Sequence, residues 1–380
     1  MAPSAEPMLL MTPGPTRVPE RVLRAGARPM IHHRTPEFSR ELAEMNELLL
    51  PFFGTREHVL PVHTTGRGGL EAVICNLFTS GDTVVACCNG KFGEMWATIA
   101  ESYGVIVERI ATDWETDVAA ESVEKAIVEN PAIRAVALPY SDTSTGVANN
   151  IAAVAKVARA HNVLVLVDGV SSIGGMPFAF DEWGVDAAVT ASQKCFMSSP
   201  GLAFAVLSER AWAASAKAKL PRNYWDLAAV RREVSKPKAE TPGTTPVHLV
   251  LQVAEALRML HEEGIGAVQA RHTAMARIAR EGAAALGLAP QCPQLKGIAA
   301  TLTAIALPPE LPPQRVRDGM KARGILCAAG LDRYKDSSFR IGHMGDIRED
   351  DVWRTIAALG DVVGAIRAGE TVMTGSRPAL

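Results

Sequence analysis

Seven short apolar runs alternate with amphipathic segments between residues 59 and 207, and this alternation limits the folds open to the chain. The runs are predicted to be strands at Val59–Val62, Thr83–Cys88, Val105–Ile110, Ile133–Pro139, Val163–Val167, Ala187–Thr190 and Leu202–Leu207. Helices are predicted between several of them, at 68–78, 92–103, 118–128 and 151–161. The pattern therefore predicts an α/β fold with a mostly parallel, seven-stranded sheet covered by helices on both faces.

The alternation stops near residue 220. After an irregular loop at 236–246, helices are predicted at 247–261, 268–286, 313–323 and 349–366, and strands at 299–307 and 338–342. A chain of 380 residues is too long for one ordinary core. We therefore expect an N-terminal arm over 1–15, a large domain over 16–250 and a smaller C-terminal α+β domain over 251–380.

Two charged side chains stand at the ends of predicted buried strands. Asp168 directly follows Val163–Val167, and Lys194 comes shortly after Ala187–Thr190. The carboxyl ends of strands line the binding crevice of an open α/β sheet, so both groups are expected to face one site. Burial lowers the pKa of a lysine and makes its amine a better nucleophile. A lysine that can form a Schiff base, beside a carboxylate that can hold a pyridinium nitrogen, is typical of a pyridoxal-phosphate enzyme.

A glycine-rich turn over Thr64–Ala72 leads from a predicted strand into a predicted helix. Free backbone N–H groups at a helix start form a natural phosphate seat, so Thr65, Gly66 and Arg67 are candidate phosphate ligands. The turn matches neither the dinucleotide fingerprint nor the P-loop. An ordinary strand-to-helix turn is the alternative at this point.

Two further residues could contact a small molecule. Phe92 begins a predicted helix and could stack on a planar ring; the alternative is a core aromatic at a helix start. Arg340 stands in the predicted strand 338–342 and could grip a carboxylate through two parallel hydrogen bonds. For Arg340 the alternative is a structural ion pair.

Composition narrows the classes of function. The formal net charge is −2, which gives no reason to expect a nucleic acid or an anionic membrane as partner. The six cysteines form no C-x-x-C pair, so neither a metal site nor a disulfide framework is predicted. No apolar run reaches the ~18–20 residues of a membrane span, and no secretory signal is recognised. We therefore expect a cytoplasmic protein with buried free thiols.

Six motifs, each modest alone, follow one another in a fixed order. They are Thr12–Pro15, Gly66–Ala72, Ser144–Val147, Asp168–Ser172, Ser192–Lys194 and Arg340–Gly345. In order and spacing the set resembles the class V aminotransferases of the fold-type I pyridoxal-phosphate enzymes, in particular the alanine–glyoxylate and serine–pyruvate branch. The resemblance covers nearly the whole chain.

The resemblance implies a role for each matching position. Lys194 would bond to pyridoxal 5'-phosphate and move a proton between substrate Cα and cofactor C4′. Asp168 would bind the pyridine nitrogen, and Arg340 the substrate α-carboxylate. Further cofactor contacts implied by the family pattern come from Thr65, Gly66, Arg67 and Gln193 at the phosphate, Val170 and Phe92 on the two ring faces, Thr143 near the ring hydroxyl, and Thr245 of a neighbouring subunit.

The same resemblance implies a homodimer with a shared active site and a ping-pong reaction. An amino group would pass from a small amino acid such as alanine or serine to a small 2-oxo acid such as glyoxylate or pyruvate. Two positions depart from the family pattern. Animal members carry a tyrosine three residues before Thr245, where this chain has Pro242. Members differ at Arg67, whose side chain could select a second acidic or carbonyl group of the substrate.

Other functions on the same fold stay open at this point. A lyase or desulfurase would keep the cofactor, but a desulfurase needs a mobile cysteine and Cys195 is expected to be packed inside. A pyridoxamine–pyruvate transaminase would treat the vitamer as a substrate, which the predicted phosphate seat disfavours. The presence of both Asp168 and Lys194 disfavours a degenerate, non-enzymatic scaffold.

Overall fold

The structure, a computed structural model, describes residues 8–292, 297–370 and 372, so the first seven residues of the predicted arm lie outside it. Its strands are β1 (Leu9–Met11), β2 (Leu60–Val62), β3 (Thr83–Cys88), β4 (Ile106–Ala111), β5 (Ile133–Pro139), β6 (Ser141–Asp142), β7 (Val147–Ala148), β8 (Leu164–Asp168), β9 (Ala187–Ala191), β10 (Ala203–Leu207), β11 (Ala289–Pro290), β12 (Leu302–Ala306), β13 (Ile325–Ala329) and β14 (Ser338–Gly342).

The helices are α1 (Glu20–Gly26), α2 (Pro36–Phe53), α3 (Gly66–Leu77), α4 (Lys91–Ser102), α5 (Ala120–Glu129), α6 (Ile151–Ala160), α7 (Phe180–Trp183), α8 (Glu209–Ser215), α9 (Leu227–Val234), α10 (Val247–Glu263), α11 (Ile265–Ala285), α12 (Pro313–Ala322) and α13 (Glu349–Arg367). A short 3-10 helix covers Asp332–Tyr334. Within the described ranges, none of the helices combines the length and the apolar character needed to cross a membrane.

Seven strands form the larger sheet, in the order β2-β10-β9-β8-β5-β3-β4. Strands β9, β8, β5, β3 and β4, which are consecutive in the sheet, are parallel to one another. Strand β10 runs antiparallel to both β9 and β2. The predicted α/β fold with a mostly parallel, seven-stranded sheet is confirmed.

Helices cover both faces of this sheet, which explains why its strands are continuously apolar rather than alternating. Every residue of β3, β8, β9 and β10 is buried. One face packs against α2, α6 and α10 in a core that includes Val136 and Phe204. The other face packs against α3 and α4 in a core that includes Leu70 and Trp96. The carboxyl ends of β8 and β9 are thereby held in fixed positions beside the start of α3.

A second sheet of five strands, in the order β1-β13-β14-β12-β11, has a core of its own with α11, α12 and α13. The arm strand β1 pairs in parallel with Ile325–Cys327 of β13 and so belongs to this sheet. The expected domain boundary near residue 250 falls within α10 and stays a prediction.

Candidate active site

A pocket opens where β8 and β9 end and α3 begins. It is lined by Thr65, Gly66, Arg67, Leu70, Phe92, Met95, Thr143, Asp168, Val170, Ser171, Gln193 and Lys194. All the predicted site residues except Thr245 and Arg340 are in this lining. Residues more than a hundred positions apart meet here because parallel strands present their carboxyl ends at one edge of the sheet.

Asp168 is the last residue of β8 and is only 4% exposed. Burial raises the pKa of this carboxyl to about 7, against the opposing effects of the Val170 N–H and the Lys194 amine. The Val170 N–H donates to Asp168 Oδ1 at 2.8 Å and fixes the direction of the carboxyl group. An acid whose charge is this poorly solvated gains most from a cationic partner, such as a protonated ring nitrogen.

Lys194 lies in the turn between β9 and β10. Burial lowers the pKa of its amine to about 8, although the Asp168 carboxylate opposes the shift. The Nζ atom donates to the carbonyl oxygen of Pro13 in the N-terminal arm. Thr16 holds the arm in place, since its N–H donates to Gln193 O at 3.1 Å and its hydroxyl to Lys194 O at 3.1 Å. The amine of Lys194 is therefore deprotonated more readily than that of an exposed lysine.

Helix α3 starts at the pocket wall and presents a seat for an anion. Its N-cap residue, Thr65, makes no side-chain capping bond, and the N–H groups of a first helical turn have no partner within the helix. The helix dipole adds to the attraction for negative charge. Glycine is needed at Gly66, because a Cβ atom there would lie 2.6 Å from Val170 Cγ2.

The residues present fit pyridoxal phosphate. An amine and a carboxyl group stand in one pocket with the anion seat of α3. Gln193 lines that pocket with an Oε1 atom that is buried and has no hydrogen-bond partner among the described residues. A rotation of this amide would turn its N–H₂ group, two donors, toward a bound phosphate.

Arg340 lies on β14 of the smaller sheet and is 8% exposed. Its Nη1 donates to the carbonyl oxygen of Thr143 at 2.9 Å, and its Nε donates to that of Ala329 at 2.7 Å. Burial lowers the pKa of Arg340 to about 10, and the Asp142 carboxylate opposes this shift. Arg340 thus sits behind the pocket wall at Thr143, bonded to main-chain carbonyl groups, with guanidinium hydrogens left for another acceptor.

Thr245 lies apart from the pocket of its own chain. It is buried, and its hydroxyl pairs with that of Thr241. The neighbouring residues Pro242, Gly243 and Thr244 line a different cleft, together with His63 and other residues. Thr245 therefore does not line the pocket of its own chain, and its role at the phosphate stays a prediction.

Sequence reasoning missed four residues at or behind the pocket. Ser171 accepts the Thr143 hydroxyl at 2.8 Å, and Asp142 lies behind Phe92. Leu70 and Met95 line the wall as apolar groups, and at helical spacing they look the same as core residues. Ser171 could have been found, since it follows Asp168 closely in one of the motifs.

The cysteines agree with expectation. All six are buried and free, including Cys195 beside the lysine. Burial raises the pKa of the Cys195 thiol to about 12, so it is not suited to act as a mobile thiolate. In the described part of the chain, no three His, Cys, Asp or Glu side chains form a group that could hold a metal ion.

Residues 9–331 match the family described as Aminotransferase class-V. The "Soluble hydrogenase, small subunit" of Synechococcus sp. (strain PCC 6716) is 37% identical, over 94% of this chain and 93% of that protein. The L-aspartate–glyoxylate aminotransferase of Paracoccus denitrificans (strain Pd 1222) is 34% identical, over 90% of this chain and 87% of that protein. The crystal structure of an alanine–glyoxylate aminotransferase from Nostoc sp. has a TM-score of 0.90 at 28% identity, over 96% of this chain and 97% of that one.

Proposed function

The chain belongs to the class V aminotransferase family, and we propose that it passes the amino group of a small amino acid to glyoxylate in the pocket at the ends of β8 and β9. It has fold type I of the pyridoxal-phosphate enzymes and is a pyridoxal-phosphate-dependent transaminase. The observation that carries the proposal is the Lys194 amine and the Asp168 carboxyl group in one pocket. Glyoxylate as acceptor is supported by the names of two relatives. One is named for aspartate and the other for alanine as donor, and both are named for glyoxylate.

When bound, pyridoxal phosphate supplies the aldehyde that takes up the amino group and the ring that absorbs the electron pair released at the substrate Cα. We propose that Lys194 would hold the cofactor through its aldehyde carbon, and that its amine, freed when the substrate amine takes that place, would move the proton at the substrate Cα. The lowered pKa of Lys194, about 8, suits both tasks, since a general base works best with a pKa near the working pH. Asp168 would hold the ring nitrogen protonated.

The phosphate would rest on the first turn of α3. Thr65, Gly66 and Arg67 would supply N–H groups there, and Gln193, which also lines the pocket, would supply its side-chain amide. Val170 and Phe92 also line the pocket and are proposed to enclose the two faces of the ring. Thr143 is proposed to reach the ring hydroxyl, next to the hydroxyl of Ser171.

Arg340 is proposed to bind the α-carboxylate that every amino donor and every 2-oxo acceptor carries. Two main-chain carbonyl groups already fix its guanidinium plane. An Arg340→Ala variant is expected to lose kcat/KM by about 10- to 100-fold for every α-carboxylate substrate, because charge-assisted hydrogen bonds are lost. Steady-state kinetics with several donors tests this, and a loss confined to one donor would contradict the role.

The Arg67 side chain is proposed to select the donor. Arg67 lines the pocket but is exposed, and in the described residues no hydrogen bond or ion pair is recorded for its guanidinium. A second carboxylate on the donor, as in aspartate, would give this cation a partner. An Arg67→Met variant is then expected to lose kcat/KM for aspartate while kcat/KM for alanine and serine stays the same. A weaker affinity for pyridoxal phosphate with no change in donor preference would contradict this proposal.

We also propose a homodimer in which Thr245 of one subunit contacts the phosphate held by the other. This is supported by the place of Thr245, outside the pocket of its own chain. A cytoplasmic location is proposed too, and it is supported by six free thiols, which persist in a reducing compartment. Size-exclusion chromatography with light scattering tests the assembly.

The activity itself is tested by a screen of donors against acceptors. Alanine, serine and aspartate are each paired with glyoxylate and with pyruvate, and the amino product is measured by chromatography. We expect a yellow holoprotein whose colour is bleached by the right donor and restored by glyoxylate. A preparation that stays colourless and inactive with added pyridoxal phosphate would overturn the proposed function.

A further inference from the structure

Asp142, in the short hairpin of β6 and β7, holds the start of helix α4. Its Oδ2 accepts the N–H of Phe92 at 2.8 Å and that of Gly93 at 3.3 Å. Its Oδ1 accepts the N–H of Ser144 at 2.9 Å and the hydroxyl of the same residue at 2.5 Å. Asp142 is completely buried and is not part of the pocket lining. Burial raises the pKa of this carboxyl group, and the four hydrogen-bond donors oppose the shift.

The chain makes room for this carboxylate at Gly90. A Cβ atom there would lie 2.1 Å from Asp142 Cγ and 2.3 Å from its Oδ2. The backbone at Gly90 is extended, with φ 171°, a conformation that any residue can adopt. Glycine is therefore required at this position by the space that Asp142 occupies and not by the backbone conformation.

The residue after Asp142 joins the same hairpin to the rest of the site. The carbonyl oxygen of Thr143 accepts Arg340 Nη1 at 2.9 Å, and its hydroxyl donates to Ser171 Oγ at 2.8 Å. Ser171 in turn donates to the carbonyl oxygen of Ser141 at 3.1 Å. One short hairpin therefore touches α4, the loop after β8, and the arginine of the smaller sheet.

We propose that Asp142 is a positioning residue: it fixes Phe92 against the pocket and, through Thr143, holds Arg340 where a substrate carboxylate must bind. The proposal rests on the proposed function of Phe92 and Arg340. A carboxylate is needed because both of its oxygens accept hydrogen bonds. Asparagine has one acceptor oxygen, and its N–H₂ group would face N–H donors that it cannot satisfy.

Two variants disturb this arrangement in different ways. Asp142→Asn removes the charge and one acceptor, while Gly90→Ala keeps the charge and displaces the carboxylate. Asp186→Asn is the matched control. Asp186 is also completely buried and accepts the Val165 N–H at 3.0 Å and the Ser208 hydroxyl at 2.7 Å. It directly precedes β9, at the end of that strand opposite Lys194.

Three quantities are measured on each holoprotein. The first is the dissociation constant of propionate, a carboxylate without an amino group, from the change in cofactor absorbance. The second is the circular dichroism of the cofactor band, which reports how the bound ring is held. The third is the melting temperature, which reports stability alone.

Asp142→Asn and Gly90→Ala are expected to weaken propionate binding by about tenfold and to change the cofactor dichroism, because the arginine and the aromatic wall shift together. The double variant is expected to be no worse than the poorer single variant, since both changes act on one carboxylate. Asp186→Asn is expected to lower only the melting temperature.

Unchanged propionate binding and dichroism in a folded Gly90→Ala protein would overturn the proposal, even if Asp142→Asn does not fold. Equal losses in all three variants would also overturn it, because they would indicate a general loss of stability. A wild-type protein that binds no pyridoxal phosphate would overturn the proposed function itself, and the positioning role with it.

Discussion

At the scale of single residues, the pocket shifts the pKa of its acid and that of its amine toward each other. Burial raises the pKa of Asp168 to about 7 and lowers that of Lys194 to about 8. The charged form of each group is unfavourable on its own, because the Asp168 carboxyl group and the Lys194 amine are both buried away from water. In the proposed roles, the ring nitrogen of the cofactor would pair with Asp168 and its aldehyde with Lys194, so cofactor binding would relieve a cost that the apoprotein carries.

Replacing Lys194 tests the role of the amine. We expect Lys194→Ala to reduce kcat by at least 10²–10⁴-fold, on the order of what a positioned acid–base group contributes, while the melting temperature stays close to that of the wild type. Lys156→Ala, on the exposed side of α6, is the control and should keep full activity. Turnover by Lys194→Ala at the wild-type rate would remove this lysine from the mechanism.

The raised pKa of Asp168 also predicts how apoprotein stability depends on pH. Between the usual aspartate value near 4 and the folded value of about 7, the folded chain holds a proton that the unfolded chain has released. The free energy of unfolding therefore falls as pH rises through this window, and the cost is fully present above it. Asp168→Asn should be more stable than the wild type at pH 8, with the difference narrowing toward pH 4.

Urea unfolding of both apoproteins at each pH measures this difference. Asp113→Asn is the control, because its effect on the free energy of unfolding is expected to have the opposite sign. The N–H of Glu115 lowers the pKa of Asp113, so this carboxylate stabilises the fold above its unfolded pKa, and the variant should be the less stable protein there. Parallel curves for wild type and Asp168→Asn would contradict the burial of that charge.

The sequence indicates most of the residues in the pocket. It does not indicate residues whose role depends on contacts formed only in the folded chain. Asp168 and Lys194 are charged residues at the ends of apolar runs, a local signal that can be read directly. Asp142 also follows an apolar run, Ile133–Pro139, but the sequence does not show that its hydrogen-bond donors lie on α4, about fifty positions earlier in the chain. Leu70 and Met95 are apolar residues on helices and do not stand out from the core.

At the scale of elements, the N-terminal arm links the two sheets at the site. Its strand β1 pairs with β13 of the smaller sheet, and the segment that follows contacts Lys194 through Pro13 and Thr16. Gly14, between these contacts, has φ +118°, and a Cβ atom there would lie 2.7 Å from Lys194 Cδ and 2.8 Å from its Nζ.

A Gly14→Ala variant is therefore expected to bind pyridoxal phosphate more slowly and to turn over more slowly, because the new methyl group displaces the lysine. Gly81→Ala is the matched control: Gly81 has φ +90°, and a Cβ atom there meets nothing within 4 Å. Both changes strain the backbone by about 1–3 kcal/mol. Stopped-flow absorbance gives the binding rate, and an equal effect of both variants would show that strain, not contact with Lys194, is responsible.

Long, strongly patterned elements are predicted well from the sequence. Strands β5 and β14 have the predicted bounds, and α4 and α10 end within two residues of prediction. Strands β1 and β13 were not predicted; β1 is only three residues long, and its parallel partner β13 is far away in the sequence. Helices α8 and α9 are seven and eight residues long and were missed as well. Short elements are stabilised by tertiary contacts more than by their own residues.

At the scale of the whole molecule, the site combines groups from both sheets. Lys194 and Asp168 come from the larger sheet, while Arg340 comes from the smaller one and reaches the pocket wall through Thr143. The proposed dimer would add Thr245 from a second chain. Such an arrangement makes activity depend on assembly as well as on the fold of one chain.

Mixed dimers test the shared site. Lys194→Ala subunits lack the amine but retain Thr245, and Thr245→Ala subunits lack the phosphate contact but retain Lys194. After the two proteins are unfolded and refolded together at limiting pyridoxal phosphate, hybrids are expected to regain activity that neither variant has alone. Refolding each variant separately is the control, and no gain on mixing would place Thr245 outside the working site.

The site of cofactor attachment tests the roles of Lys194 and Asp168 most directly. The wild-type holoprotein is reduced with borohydride, digested, and analysed by mass spectrometry. We expect one pyridoxyl-phosphate group per chain, on Lys194, and a marked drop in its yield in Asp168→Asn, where the ring nitrogen would lose its partner. Attachment to another lysine, or no attachment at all, would contradict these roles.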